Sequence, residues 1–329
     1  MNNDIWVLSD NVKGNANQAI ALAEEIGLAY QIKHVEYNVL GKLPNTILKY
    51  YPVHIKKKLI KLLISSVPPK IIISSGRRTA SLAILLKKNF DNQPKIIQIM
   101  RPMMELDHFD FIIVPQHDNV TQSSPKIIKI IGALSNSINN ALSISKELTL
   151  NYPSAVDFVG VIIGGNNKRY KFSKAAINLL CLKLKMIAEN QATSLFFSFS
   201  RRTPQNFKQA IIENFSWPHI IYDPKTKQPN PYLGILVQAS SLICTGDSIS
   251  MCSEIATTGK PLYIYCPQDF KLKKHRFFIQ QLYDIGIARE FNIDTNYLEN
   301  YSYMPLNEAK RVAKIVRAEL FINDNILPK

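Results

Sequence analysis

The run Leu242-Ile243-Cys244-Thr245-Gly246-Asp247-Ser248-Ile249-Ser250-Met251-Cys252-Ser253-Glu254-Ile255-Ala256-Thr257-Thr258-Gly259-Lys260-Pro261-Leu262-Tyr263-Ile264-Tyr265 decides the fold. It opens with a short apolar strand that ends in a turn of small residues. A helix begins near Asp247 or Ser248, and Gly259 and Pro261 stop it before a second apolar strand at Leu262–Tyr265. That order is a βαβ unit, the building block of parallel sheets.

The same alternation runs through the whole chain. In the first half the pattern predicts strands near 5–9, 32–36, 71–74, 95–100, 110–114 and 127–130, with helices near 15–26, 55–66 and 77–88. In the second half it predicts strands near 156–163, 194–199, 219–222, 241–244 and 262–265, with helices near 173–190, 204–214, 231–239, 248–258 and 272–284. A polar, Ser/Asn-rich stretch between about 133 and 154 ends in Asn151-Tyr152-Pro153 and marks the boundary. The expected domains are therefore 1–140 and 150–304, followed by a helix opened by Pro305. Its apolar residues Ala309, Val312, Ala313, Val316 and Leu320 share one face, which suits packing on either domain.

The chain has 329 residues, 46% of them hydrophobic, enough for two ordinary cores. Lys and Arg number 40 against 25 Asp and Glu, a formal charge of +15. Such a balance points to anionic partners: a nucleotide sugar, a phosphorylated substrate, an acidic membrane face or nucleic acid. No RNA- or DNA-binding motif accompanies the charge, so no specific nucleic acid is expected. Cys181, Cys244, Cys252 and Cys266 form no zinc spacing and read as thiols of a reducing compartment, which places the chain in the cytoplasm. The N-terminus has no basic segment followed by a long apolar run, so no signal peptide is expected. Nowhere are about 18 apolar residues uninterrupted, so any membrane contact is expected to be peripheral.

The candidate chemistry lies in the turns after strands, where ligands of open α/β sheets bind. After the first strand comes Asp10-Asn11-Val12-Lys13-Gly14-Asn15-Ala16-Asn17-Gln18, which lacks the G-x-G-x-x-G fingerprint of nicotinamide dinucleotide binding. Ser75-Gly76-Arg77-Arg78-Thr79 nearly recurs as Phe199-Ser200-Arg201-Arg202-Thr203, each copy between an apolar run and a helix. Free N–H groups and guanidinium forks converge on an anion at such a place, and two copies suggest two similar domains. The plainer reading is two surface turns of like composition. Gly164-Gly165 allows a backbone to approach a ligand, with Lys168 and Arg169 beside it. At Thr245–Ser250 hydroxyls and N–H groups can hold a phosphate, and Glu254 lies where a carboxylate accepts from ribose hydroxyls. Asp247 reads equally as a helix cap.

Several of these motifs, taken in order, resemble a known family. They are Trp6-Val7-Leu8-Ser9-Asp10 with Gly14-Asn15 and Asn17-Gln18, Gly76-Arg77-Arg78-Thr79, Pro115-Gln116-His117-Asp118, Gly132-Ala133-Leu134, Ile163-Gly164-Gly165, Ser200-Arg201-Arg202-Thr203-Pro204, Asn230-Pro231-Tyr232 and the Thr245–Glu254 turn. The set resembles the bacterial relatives of the plant "elongated mitochondria" mitochondrial-fission family. The resemblance implies a GT-B-like α/β fold, two Rossmann-like domains with parallel sheets facing across a cleft. By the same resemblance Arg201 and Arg202 clamp a donor diphosphate, with Gly164, Gly165, Thr245, Gly246, Asp247, Ser248, Ser250 and Met251 around it and Glu254 on the ribose. Lys13, Gly14, Asn17, Gln18, Gly76, Arg77 and Arg78 belong to the acceptor side, with Asp10 and His117 as catalytic candidates. The epimerase label that some family members carry fits poorly, since nicotinamide-dependent epimerisation needs the missing fingerprint.

One turn departs from the family. Where an acidic residue is usual after the strand near 96–99, this chain reads Met100-Arg101-Pro102. His117-Asp118 is then the remaining acid–base pair, with Asp118 orienting the imidazole or simply starting a turn. The expectation is a metal-independent glycosyltransferase using a nucleotide-diphosphate sugar, with no cofactor and no metal, since no Asp-x-Asp motif is present. The alternative is a non-catalytic, membrane-associated or fission-related interaction protein of the same shell. For that reading residues 50–64, basic and apolar together, supply a contact with an anionic membrane surface, unless their helix simply packs on the core.

Overall fold

The computed structural model describes residues 4–10, 12–42, 52–121, 124–136, 138–139 and 141–324; for Lys13, Lys42 and 321–324 it describes the backbone alone. The chain divides into two compact units, Met1–Asn136 with Asn307–Lys329, and Ser137–Leu306. Each is built on a six-stranded, wholly parallel sheet.

The first unit holds β1 (Ile5–Ser9), β2 (Tyr30–His34), β3 (Ile71–Ser75), β4 (Lys95–Ile99), β5 (Phe111–Pro115) and β6 (Ile127–Ile130), in the order β2-β1-β3-β4-β5-β6. Alternate residues of these strands enter two separate cores. Ile5, Val7, Ile71, Ile73, Ile97 and Ile113 meet the helices Lys13–Ile26 and Glu308–Asp324 on one face. Trp6, Leu8, Ile72, Ile96 and Ile112 meet the helices Lys57–Ile64 and Arg77–Asn89 on the other. Both faces are covered, which is why the strands read as unbroken apolar runs. Each buried Ile or Leu contributes roughly 1.5–3 kcal/mol.

The second unit holds β7 (Phe158–Ile163), β8 (Ser194–Phe199), β9 (His219–Tyr222), β10 (Leu242–Thr245), β11 (Leu262–Tyr265) and β12 (Ala288–Glu290), in the order β12-β11-β10-β7-β8-β9. Counted within the unit this is the 3-2-1-4-5-6 order of dinucleotide-binding sheets, whereas the first unit has the other doubly wound order. The sheet direction reverses between β7 and β10, and in the first unit between β1 and β3.

Three elements differ from the expectation. The polar stretch taken as a boundary contains a helix, Ala141–Asn151, that belongs to the second unit. Its Ser and Thr residues hide the pattern, and what holds it is tertiary. Leu148 is buried against Gly234, where a Cβ would lie 2.6 Å from the Leu148 Cβ, and Gln238 donates to the Ser145 carbonyl at 2.8 Å. The edge strand β12 has only three residues and is stabilised by pairing with β11. The last helix begins at Glu308 rather than Pro305 and belongs to the first unit. There the Glu308 carboxylate accepts from Ile131 N at 3.2 Å and pairs with Arg311 at 2.6 Å.

That helix lays Ala309, Val312, Ala313 and Val316, all fully buried, against the helix Lys13–Ile26. Val312→Ala removes two buried methyl groups and leaves a cavity, so it is expected to destabilise the protein by about 2 kcal/mol. Urea unfolding followed by far-ultraviolet circular dichroism checks this. An unchanged midpoint would mean that the C-terminal helix is not docked in solution.

Candidate functional site

In the second unit the switch point brings together three turns that are far apart in sequence. Gly164-Gly165 leaves β7, Ser200–Thr203 leaves the adjacent β8, and Thr245–Ser248 leaves β10 on the other side. Asp247 joins them. Its side chain is 0% exposed. One oxygen accepts from Gly165 N at 2.9 Å, the other from Thr245 Oγ1 at 2.7 Å, and Arg202 reaches the first at 3.3 Å. Thr245 Oγ1 in turn accepts from Gly164 N at 2.8 Å. Burial raises the Asp247 pKa above the ordinary carboxylate value, opposed by these bonds and by the Arg202 charge.

This explains the paired glycines without any ligand. A Cβ on Gly164 would stand 2.1 Å from Asp247 Oδ1, and one on Gly165 would stand 2.2 Å from the Arg202 carbonyl carbon. The Ser200–Thr203 turn is closed by Thr203 Oγ1, which donates to the Gly164 carbonyl at 2.5 Å and accepts from Ser200 N at 2.9 Å. Arg201 and Arg202 are thereby held at the surface, both exposed. Asp247 is not the cap of the next helix, Ile249–Ala256. Ser248 is, accepting from Met251 N at 3.5 Å. Ser250 and Met251 are half-buried in its first turn.

Glu254 is in the second turn of that helix and half-buried, and its carboxylate accepts from Tyr232 Oη at 2.6 Å. Burial raises the pKa of both groups, and the Tyr232 bond pulls Glu254 partly back. Tyr232 stands in the Asn230-Pro231-Tyr232 motif but had no expected role. A second residue that sequence reasoning missed is His275, in the first turn of the helix Lys273–Asp284. It bonds the Asp247 main chain and lies within the field of Arg202, Arg169 and Lys274; burial and these cations lower its pKa. Nothing in the spacing of Lys273-Lys274-His275-Arg276 signals this, because the link to Asp247 is made only in space.

In the first unit the switch point assembles a different group. Asp10 is buried after β1, accepting from Val12 N at 3.0 Å and from Tyr37 Oη at 3.4 Å. The Tyr37 ring stacks on His54 at 5.4 Å, and the Arg78 guanidinium lies 5.5 Å from the Tyr37 centroid. His54 Nε2 bonds the Arg78 carbonyl at 2.9 Å, and burial lowers the His54 pKa while it raises that of Tyr37. Neither Tyr37 nor His54 is marked by a motif. Gly76 has φ +84°, which admits the chain directly into the helix Arg77–Asn89, so Arg77 and Arg78 occupy its exposed first turn.

The remaining acceptor-side candidates divide. Gln18 is a structural link: Nε2 donates to the Gly14 carbonyl at 3.2 Å, and Oε1 accepts from Leu134 N at 3.3 Å. Asn17 is exposed, and the Lys13 side chain lies outside the described residues. His117 sits in a short 3-10 turn after β5, beside Asp118. β3 and β4 separate β5 from β1, so the strands that lead to His117 and Asp10 are about 14 Å apart in the sheet. Of the 50–64 stretch, residues 50 and 51 lie outside the described residues. The helix Lys57–Ile64 buries Leu63 and packs Leu59, Ile60 and Ile64 on the core, leaving Lys57, Lys58, Lys61 and Leu62 outward. No helix among the described residues is long and apolar enough to cross a membrane.

Two parallel six-stranded sheets, with the functional candidates at their carboxyl edges, define a GT-B-like α/β protein. The chain belongs to the family described as Mitochondrial fission ELM1, whose model matches residues 13–320. It is 45% identical over 352 aligned residues to an uncharacterized protein of Rickettsia prowazekii, RP120, covering 97% of this chain and 99% of that one. With Mitochondrial fission protein ELM1 of Arabidopsis thaliana it is 27% identical over 277 residues, 77% of this chain and 64% of the plant protein. Among solved structures, UDP-GlcNAc 2-epimerase from Methanocaldococcus jannaschii is similar at a TM-score of 0.61 and 11% identity, covering 96% and 99% of the two chains. The UDP-GlcNAc 2-epimerase from Neisseria meningitidis, bound to UDP-GlcNAc, is similar at 0.54 and 13%, covering 97% and 100%. At such identities these structures share the fold alone.

The Glu254 shift has a consequence for stability. An acid whose native pKa is raised keeps in the folded chain a proton that the unfolded chain has released. Stability therefore falls as pH rises from the ordinary carboxylate value through the native one. Glu254→Gln removes this dependence. The variant is expected to gain on the wild type across that window in urea unfolding at stepped pH, and a difference independent of pH would overturn the assignment.

Proposed function

We propose that the second unit binds the diphosphate and ribose of a nucleotide sugar, and that the chain transfers the sugar to an acceptor without a metal ion. The single observation that carries this reading is the junction of β7, β8 and β10. There Arg202 is fixed by Asp247 at the edge of a turn whose N–H and hydroxyl groups precede a helix, with Glu254 in the second turn of that helix. A diphosphate needs cations and N–H donors, and a ribose needs an acceptor a short distance away. In transfer, negative charge grows on the departing diphosphate, and donors already oriented toward it lower that barrier most. Arg202 is held by a buried, hydrogen-bonded partner before any ligand arrives. Arg201 adds charge from the same turn. Structures of the same fold carry UDP-GlcNAc, which makes it the first ligand to test.

Asp10 and His117 stand as candidates for acid–base work on the acceptor, on strands that are not neighbours in the sheet. Asp10 is the better placed of the two, since it lies at the switch point of its sheet.

A second reading is favoured by one observation. Arg101, exposed after β4, puts a cation at the turn where the sequence resemblance implies an acidic residue. On this reading the GT-B shell serves as a peripheral membrane or interaction module. Lys57, Lys58 and Lys61 would meet anionic head groups, with Leu62, 62% exposed, entering the interface.

The two readings separate in a thermal-shift screen against nucleoside diphosphates and nucleotide sugars. At about 100 times its dissociation constant a specific ligand adds roughly 2.7 kcal/mol of stability. The first reading expects a base-selective shift that Arg202→Ala and Glu254→Ala each abolish. No shift with any nucleotide, together with sedimentation on phosphatidylserine vesicles that Leu62→Asp prevents, would replace it with the second.

A further inference from the structure

The carboxyl edge of the first sheet carries a group of cations that the donor reading does not use. One buried side chain sets their place. Gln98 Nε2 donates to the Gly76 carbonyl at 3.0 Å and to the Met100 carbonyl at 3.2 Å. Those carbonyls immediately precede Arg77 and Arg101, so the two turns leave the sheet side by side. The strand register agrees, with Ser75 opposite Ile99 and Gly76 N donating to the Ile99 carbonyl at 3.0 Å. Arg77, Arg78 and Arg101 are all exposed, and none forms an ion pair among the described residues. Asp10 follows β1, on the other side of β3 from Arg101, and Val12 N and Tyr37 Oη already bond it.

Polar groups without partners lie at the same turn. The helix Arg77–Asn89 begins with no side-chain cap, which leaves the N–H groups of its first turn open. Ser75 is 2% exposed, and its Oγ has no hydrogen-bond partner among the described residues. It shares the strand face of Ile71 and Ile73, toward the helix Lys13–Ile26. From the first turn of that helix Asn15 reaches back: its Nδ2 stands 2.8 Å from where a Gly76 Cβ would be, and makes no hydrogen bond among the described residues. An unpaired hydroxyl and amide beside open N–H groups call for an acceptor.

We propose that this turn binds a phosphate group, held by the open N–H groups and by Asn15, Ser75, Arg77 and Arg101, so that the ligand of the first unit is a phosphorylated molecule. Arg78, whose guanidinium lies 5.5 Å from the Tyr37 centroid, adds charge from the Asp10 side. Phosphate fits the set better than a carboxylate does, because it offers three oxygens and roughly two negative charges to the guanidinium forks and the helix terminus. As a phosphate site it stands by itself; that its ligand is the acceptor rests on the transfer reading. Two sources supply such a group, a soluble phosphomonoester and a phospholipid headgroup.

The test follows the amides of Gly76, Arg77, Arg78 and Thr79 by NMR in the full chain as inorganic phosphate is added, with sodium chloride and sodium acetate at matched ionic strength as controls. Saturable shifts with phosphate alone are expected. Arg101→Glu should weaken the affinity at least about tenfold, and Arg101→Lys should restore part of it. Ser75→Ala should weaken it severalfold at an unchanged melting temperature, since the hydroxyl has no partner to lose. Arg202→Ala, in the second unit, should leave it unchanged. Shifts that chloride or acetate reproduces, or an affinity that Arg101→Glu does not alter, overturn the proposal. Displacement of phosphate by glycerol 3-phosphate identifies a soluble ligand. Sedimentation on phosphatidic acid but not phosphatidylcholine vesicles, lost in Arg101→Glu, identifies a lipid one. Failure of both overturns the phosphorylated ligand. If UDP-GlcNAc binds while phosphate leaves Gly76 to Thr79 unshifted, this site falls and the donor reading stands; phosphate shifts without any nucleotide binding give the reverse.

Discussion

The burial of one carboxylate governs the second unit. Asp247 lies out of water at the point where the sheet direction reverses, and an ion there is tolerable only if each oxygen is bonded and a cation stands near. Gly165 N, Thr245 Oγ1 and Arg202 meet that demand. In meeting it they tie three turns into one body, and they forbid a side chain at 164 and 165. The residues that look like ligand groups in a linear reading, Gly164, Gly165, Thr245 and Asp247, form the frame. The groups that face outward from it are the arginines and the start of the helix Ile249–Ala256.

The first unit solves the corresponding problem with a neutral group. Gln98, fully buried in β4, donates to the carbonyls of Gly76, Ile99 and Met100 and accepts from Ser74. It holds the turns after β3 and β4 together, and Met100 adopts a positive φ of 66° there. The aromatic stack of Tyr37 and His54 then supports Arg78. Gly76 feeds straight into a helix whose first turn carries both arginines, whereas Pro204 delays the helix after Arg201-Arg202 and leaves them in a turn of their own. The charges are alike, but their presentation is not.

The two Arg-Arg turns are consequently not copies of one element. Aligning the units by strand position, β3 lies on the side of β1 that corresponds to β10 beside β7, while β8 corresponds to β2. Arg77-Arg78 therefore occupies the place that Thr245–Ser248 holds in the second unit. A strand-to-helix turn that must expose cations beside a Gly or Ser draws on few residue types, and local demand of that kind produces similar pentapeptides at unequal positions.

The sequence by itself determined the class of fold. Apolar runs such as Ile71–Ile73 and Leu242–Cys244 are buried on both faces, and only a parallel sheet flanked by helices satisfies them, so strand after strand was legible. Strand-to-helix turns also announced themselves through Gly, Ser and Arg, because their backbone geometry restricts the residues allowed. The helix Ala141–Asn151 and the strand Ala288–Glu290 were not legible, since contacts with Gly234 and with β11 stabilise them rather than their own pattern. The roles within the site were hidden for the same reason. Whether Asp247 faces a ligand or the interior, whether Glu254 is free or bonded to Tyr232, and whether His275 stands beside them depend on side chains 22 to 82 residues apart in sequence. Only tertiary structure decided these, because burial and charge act through distance in space, and local sequence carries no record of that distance.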